Sequence, residues 1–97
     1  MNSKLKNENN DFLFECILSL KTVDECYSFF EDICTASELQ EFGKRLKAAK
    51  MLTEGRQYSE ITEQTGLSTA TISRVNRSLR YGTDGYKLVL DRNGEVK

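Results

Sequence analysis

Apolar residues along this chain recur with helical spacing, not the alternation of strands. From Asp11 to Lys21 the side chains of Phe12, Leu13, Phe14, Cys16, Ile17, Leu18 and Leu20 are broken only by Glu15 and Ser19, which predicts a helix apolar nearly all round. In a short chain one neighbouring element cannot cover every side of such a helix, so the pattern predicts a second subunit and a homodimer. Thr22-Val23-Asp24-Glu25 fits a capping box, with the threonine oxygen accepting an amide of the first turn and the glutamate reaching back to the threonine amide. It starts a second helix whose Val23, Cys26, Tyr27, Phe30, Ile33 and Cys34 are expected to form one buried stripe. Thr35-Ala36-Ser37-Glu38 repeats the same capping pattern and opens a long third helix with Leu39, Phe42, Leu46, Ala49 and Leu52 inward. Gly55 closes it as a C′ glycine.

The segment 58–80, YSEITEQTGLSTATISRVNRSLR, reads as a helix-turn-helix. A short helix over 59–65 leads into a turn at Gly66-Leu67, and a second helix runs from Thr69 to about Arg80 with Ser68 as its cap. Ile61, Leu67, Ile72, Val75 and Leu79 fall at the spacing of an inner face. Ser68, Thr69, Ala70, Ser73, Arg74 and Arg77 then face outward, short-chained at the helix start and basic further on, with no acid among them. A recognition helix needs that order, because small polar residues approach base edges while the helix N-terminus and arginines attract phosphate. Residues 1–10 are polar and asparagine-rich and are expected to form a flexible tail, leaving 11–97 as a single domain.

Composition removes several function classes. The 97 residues contain no proline and no histidine, so long helices go unbroken and neither a histidine-based triad nor a histidine metal site can form within one chain. Cys16, Cys26 and Cys34 are too widely spaced for a zinc or redox motif and are expected to be small buried hydrophobes. No glycine-rich phosphate loop is present. No stretch approaches the roughly 18 apolar residues of a membrane helix, and Met-Asn-Ser-Lys-Leu-Lys is unlike a signal peptide, so a cytoplasmic protein without a membrane partner is expected.

Net charge is only −1, yet it is unevenly placed. Residues 1–42 hold three basic and nine acidic residues, for −6. Residues 43–80 hold eight basic and three acidic, for +5, and 81–97 balance to zero. A basic half suggests a polyanion partner, against the plainer reading of solvated helix faces for Lys47 and Lys50.

From about Ser37 to Leu79 the sequence resembles the tryptophan repressor superfamily, in its bacterial YerC/YecD-type branch. The residues that carry the resemblance are Glu38-Leu39 through Gly43-Lys44-Arg45-Leu46, Leu52, Gly55, Glu60-Ile61, Gly66, Ala70-Thr71-Ile72-Ser73-Arg74 and Ser78-Leu79. The resemblance implies an all-α, intertwined homodimer with two recognition helices in successive major grooves of double-stranded DNA. It also implies a ligand site at Arg45, Arg74 and Ser78 for an amino-acid-like corepressor, since arginine planes stack on rings and hold carboxylates. Val75 stands where the repressor has a glycine and takes space an indole needs, so tryptophan itself is disfavoured. Arg45 reads equally well as a packing arginine, and Arg74 as a DNA contact or a pocket wall. For residues 81–97 the resemblance favours a closing helix with Tyr86, Leu88, Val89 and Leu90, against a hairpin turned by Asn93-Gly94.

These readings converge on a regulator that binds DNA and catalyses nothing. Ser68, Thr69, Ala70, Ser73 and Arg74 are assigned to sequence reading, and Arg77, Arg80 and Lys44 to phosphate attraction. The alternative is a dimeric module that offers its helix-turn-helix to another protein.

Overall fold

Side-chain caps set where four helices of this chain begin. In the computed structural model, which describes residues 3–96, the order is α1 (Glu8–Leu18), α2 (Val23–Ile33), α3 (Ala36–Thr53), α4 (Tyr58–Thr65), α5 (Thr69–Tyr81) and α6 (Gly85–Val96). The architecture is all-α. The Asn7 side-chain oxygen accepts the Asn10 amide at 2.8 Å, so α1 starts at Glu8 instead of the expected Asp11, with Glu8 and Asp11 placed to complement its dipole. Glu8–Asn10, expected in the polar tail, are therefore helical, while Met1 and Asn2 lie outside the described residues. The helix stops at Leu18 instead of Lys21, because Ser19 turns both its amide and its hydroxyl back onto the Cys16 carbonyl.

The two capping boxes differ in detail. Before α2, Thr22 Oγ1 accepts the Glu25 amide at 3.1 Å, but the Glu25 carboxylate accepts the Lys21 amide at 2.8 Å instead of the expected Thr22 amide. With Thr22 extended (φ −132°, ψ 161°), it is the Lys21 amide that faces the carboxylate. Before α3 the exchange is reciprocal: Thr35 Oγ1 accepts the Glu38 amide at 3.0 Å and Glu38 accepts the Thr35 amide at 2.9 Å. At the other end of α3, Gly55 sits at φ +80°. Its amide donates to Leu52 and the Arg56 amide to Met51, the paired bonds of a Schellman close.

Two compact units divide the chain, Met1–Leu39 and Gln40–Lys97. In the first, neither α1 nor α2 has a buried residue. Phe12, Phe14, Leu18, Val23, Tyr27 and Ile33 are all exposed in the single chain. The thiols do not meet the expectation of burial either: Cys26 is exposed and Cys16 and Cys34 are half-buried. Cys16 and Cys26 sit on helices that bury nothing, and Cys34 is the extended residue that closes α2, so the stripe expected on α2 is not buried in the single chain.

The second unit carries the core. Ala48, Ala49 and Met51 of α3, Ile61 of α4, Leu67, and Ile72 and Val75 of α5 form one buried cluster, with Leu52, Tyr58, Leu79, Tyr86 and Leu90 packed against it. This corrects the stripe expected on α3. Ala49 is buried as expected, but Phe42 and Leu46 are exposed and Leu39 and Leu52 only half-buried. The buried positions are taken by two alanines, whose short side chains let neighbouring backbones approach closely, and by Met51, whose flexible chain fills the space between them and α4 and α5. Asn93 and Gly94 lie inside α6, so the C-terminal segment is the helix and not the hairpin. Among the described residues no helix is long and apolar enough to cross a membrane.

The α3 cap gives a titration test. The Thr35 amide, and secondarily its hydroxyl, hold the Glu38 carboxyl below the usual glutamate range. A depressed folded value means that this cap stabilises above the unfolded pKa and is lost as pH falls through the folded one. Carboxyl NMR titration should find Glu38 ionising below the usual glutamate range, and Thr35→Ala, which removes the hydroxyl but keeps the amide, should move it only part of the way back. Unchanged titration in the variant would remove the Thr35 hydroxyl as a contributor and leave the amide alone as the cause.

Candidate nucleic-acid interface

The corner between α4 and α5 is built by three consecutive residues. Gly66 adopts φ +75° and its amide donates to the Thr62 carbonyl at 2.8 Å. A Cβ there would meet nothing within 4 Å, so glycine is needed for the left-handed backbone and not for space. Thr65 is buried. Its hydroxyl donates to the Ile61 carbonyl at 2.7 Å and accepts the Leu67 amide at 3.2 Å, joining the end of α4 to the turn. Leu67 then enters the core. Ser68 is extended, and its oxygen accepts the Thr71 amide at 3.2 Å, which caps α5 as the sequence predicts.

Once Ile72 and Val75 are buried, the opposite face of α5 is settled. Thr69, Ala70, Ser73, Arg74, Arg77 and Arg80 are exposed there, with Ser68 ahead of them. No acidic residue lies within α5. Among the described residues, the ion pairs of this unit involve other groups: Arg56 with Glu54 and Glu60, and Arg45 with Glu41. Arg74, Arg77 and Arg80 are in none of them. Lys44 is exposed on α3 but is not grouped with this set; it borders a different hollow with Gln40, Lys47 and Gln64.

Arg45, Arg74 and Ser78 come together. With Thr71, Val75 and Tyr86 they line a pocket of about 240 Å³. Arg45, Ser78 and Tyr86 also border a larger hollow of about 660 Å³, whose apolar wall includes Phe42, Leu46 and Val89. Val75 is buried in the core, 3% exposed, and cannot swing away to make room. Tyr86 was missed from the sequence because nothing there fixed the register of α6 against α3 and α5. Thr65 was also missed, although a threonine just before a helix-ending glycine is well placed to bond the turn. Among the described residues no group of His, Cys, Asp and Glu is arranged to hold a metal ion.

Comparison with known proteins agrees with this geometry. Residues 8–94 match the family described as Trp repressor protein. The chain is 52% identical over 94 residues to the uncharacterised protein YerC of Bacillus subtilis, covering 97% of this chain and 90% of that protein. The crystal structure of a TrpR-like protein from Eubacterium eligens superposes with a TM-score of 0.92 at 57% identity, over 96% of each chain. That of a candidate Trp repressor from Staphylococcus aureus does so with a TM-score of 0.90 at 48% identity, over 94% of this chain and 91% of that one.

The corner can be tested by two substitutions. Thr65→Val keeps the shape but leaves the Leu67 amide without its partner, and should cost about 1–3 kcal/mol of unfolding free energy. Gly66→Ala should cost about 1–2 kcal/mol through the left-handed backbone alone. Urea unfolding at fixed protein concentration should show both as lower midpoints at unchanged slope. A wild-type midpoint for Thr65→Val would show that the hydroxyl bridge contributes nothing.

Proposed function

The chain belongs to the Trp repressor family, a family of regulators and not of enzymes, and on that premise we propose that it is a transcriptional regulator that binds double-stranded DNA as a homodimer. The observation that carries the reading is the outer face of α5: a capped N-terminus bearing small polar residues, followed by three exposed arginines outside any ion pair of the described residues. In this reading Ser68, Thr69, Ala70 and Ser73 enter the major groove, where their short side chains bring the backbone near base edges. Arg77 and Arg80 hold phosphate, and Lys44 adds a positive charge from α3. Arg74 stands at the border of the reading face and the pocket and serves either.

The uncovered apolar faces of α1 and α2 support a second copy as their cover. An intertwined dimer of this kind would place its two recognition helices about one helical turn, ~34 Å, apart on a roughly palindromic site. A regulator of this kind works where the chromosome lies, in the cytoplasm. The pocket at Arg45, Arg74 and Ser78 has guanidinium groups to hold a carboxylate and a hydroxyl to accept an amine, which fits a small amino-acid-like effector. Val75 and Tyr86 reduce the room for an indole, which argues against tryptophan.

Selection of bound duplexes from a random pool should enrich a palindrome. Against that site, Arg77→Ala should weaken binding to every duplex alike and make the dependence of log K on log salt shallower by about 0.9 for each phosphate contact removed. An unchanged slope would take Arg77 off the phosphate. No enrichment by a folded dimer, with or without added amino acids, would favour a module that binds protein through the same face.

A further inference from the structure

The assigned face of α5 ends at Arg80, but the helix has one more residue. Tyr81 is 79% exposed, more than any other large hydrophobic or aromatic side chain among the described residues of the second unit. With about 100° per residue, Ala70, Arg74, Arg77 and Tyr81 lie at i, i+4, i+7 and i+11 on a single stripe. That stripe is diametrically opposite the buried Ile72 and Val75. The aromatic ring therefore packs on nothing in this unit and stands in line with the arginines.

Its placement is held from the next residue. The Gly82 amide donates to the Ser78 carbonyl at 2.9 Å, and a Cβ on Gly82 would lie 2.4 Å from that same oxygen. No other residue fits there, and the bond keeps the last turn of α5 helical through Tyr81.

We infer that Tyr81 is a positioning residue for DNA, its phenol donating a hydrogen bond to a backbone phosphate. The inference rests on the DNA-binding reading above and extends it by one residue. Eleven residues separate Ala70 from Tyr81, about 16 Å along the helix axis, which exceeds the ~12 Å width of the major groove. With the N-terminal residues at the bases, the far end of the stripe has left the groove and meets the sugar-phosphate backbone, where tyrosine hydroxyls commonly bond. A neutral phenol on phosphate has a signature of its own. It adds affinity without releasing a counterion, so its loss lowers binding at all salt concentrations in parallel.

The test compares the full-length wild type, Tyr81→Phe and Arg77→Ala by fluorescence anisotropy on the selected palindrome and on unrelated duplexes, across a sodium chloride series. Tyr81→Phe keeps the ring, and its fold and dimer are checked by circular dichroism and sedimentation. It should lose about 3- to 10-fold in affinity on every duplex, with the salt slope of the wild type, whereas Arg77→Ala flattens the slope. Wild-type affinity in Tyr81→Phe overturns the inference. So does a loss confined to one sequence, which would make the residue a base reader, or a weakened dimer, which would put the ring between copies of the chain. If the wild type binds no duplex even at low salt, the DNA-binding reading itself falls and this inference with it.

Discussion

Everything that α5 offers to solvent depends on how its inner stripe is seated. Ile72 and Val75 share a buried cluster with Ala48, Ala49 and Met51 of α3 and with Ile61 and Leu67. A helix has one rotational setting for a given buried stripe, so burying these two side chains decides the direction of every other residue on α5. Ile61 and Ile72 are fully buried, and each is worth about 2–5 kcal/mol against alanine. An alternative rotation of α5 would forfeit such contacts and bring arginines toward the core, a far larger penalty. The outward arginines are thus a consequence of apolar packing, and electrostatics inherits a face that the core has already chosen.

The same constraint explains what was legible in the sequence. On α5 the apolar spacing is strict, the cap is a serine and the turn is a glycine, and all three agree, so helix boundaries and faces could be read closely. The local signals failed where side-chain size or register decided. On α3 the large residues Phe42 and Leu46 looked like core, yet Ala48 and Met51 hold that place, a choice of helix face that apolar size alone does not reveal. Asn7 belonged to a run that looked like a tail, although one asparagine at the right offset is enough to cap α1. Of the candidate site, the grouping of Arg45, Arg74 and Ser78 followed from the resemblance. Tyr86 could not be found, because the packing of α6 is a tertiary fact with no local sequence signal.

Val75 links these levels. It is a core residue and a pocket residue at once. Any ligand placed beside Arg45 and Arg74 meets a side chain that cannot yield without opening the cluster that seats α5. In the proposed reading, occupancy of the pocket and orientation of α5 would be coupled, because both act on the same buried methyl groups. A small ligand that fits without displacing Val75 would stiffen α5. A larger one would have to be bound at the expense of the packing that aims it.

The charge division bears on the same face. A pI near 5.5 is a poor advertisement for a polyanion partner, but the average over a chain is not what a phosphate senses. At physiological ionic strength exposed charges beyond about 8 Å are largely screened, so attraction is set by the groups a phosphate can touch. On the outer face of α5 those are Arg74, Arg77 and Arg80, with no acidic residue in the helix. The surplus of acid in residues 1–42 lowers the net charge without placing an acid within α5 itself. A protein can then hold DNA through a small basic surface without the indiscriminate attraction of a chain that is basic throughout, and specificity is left to the short side chains at the start of the same helix.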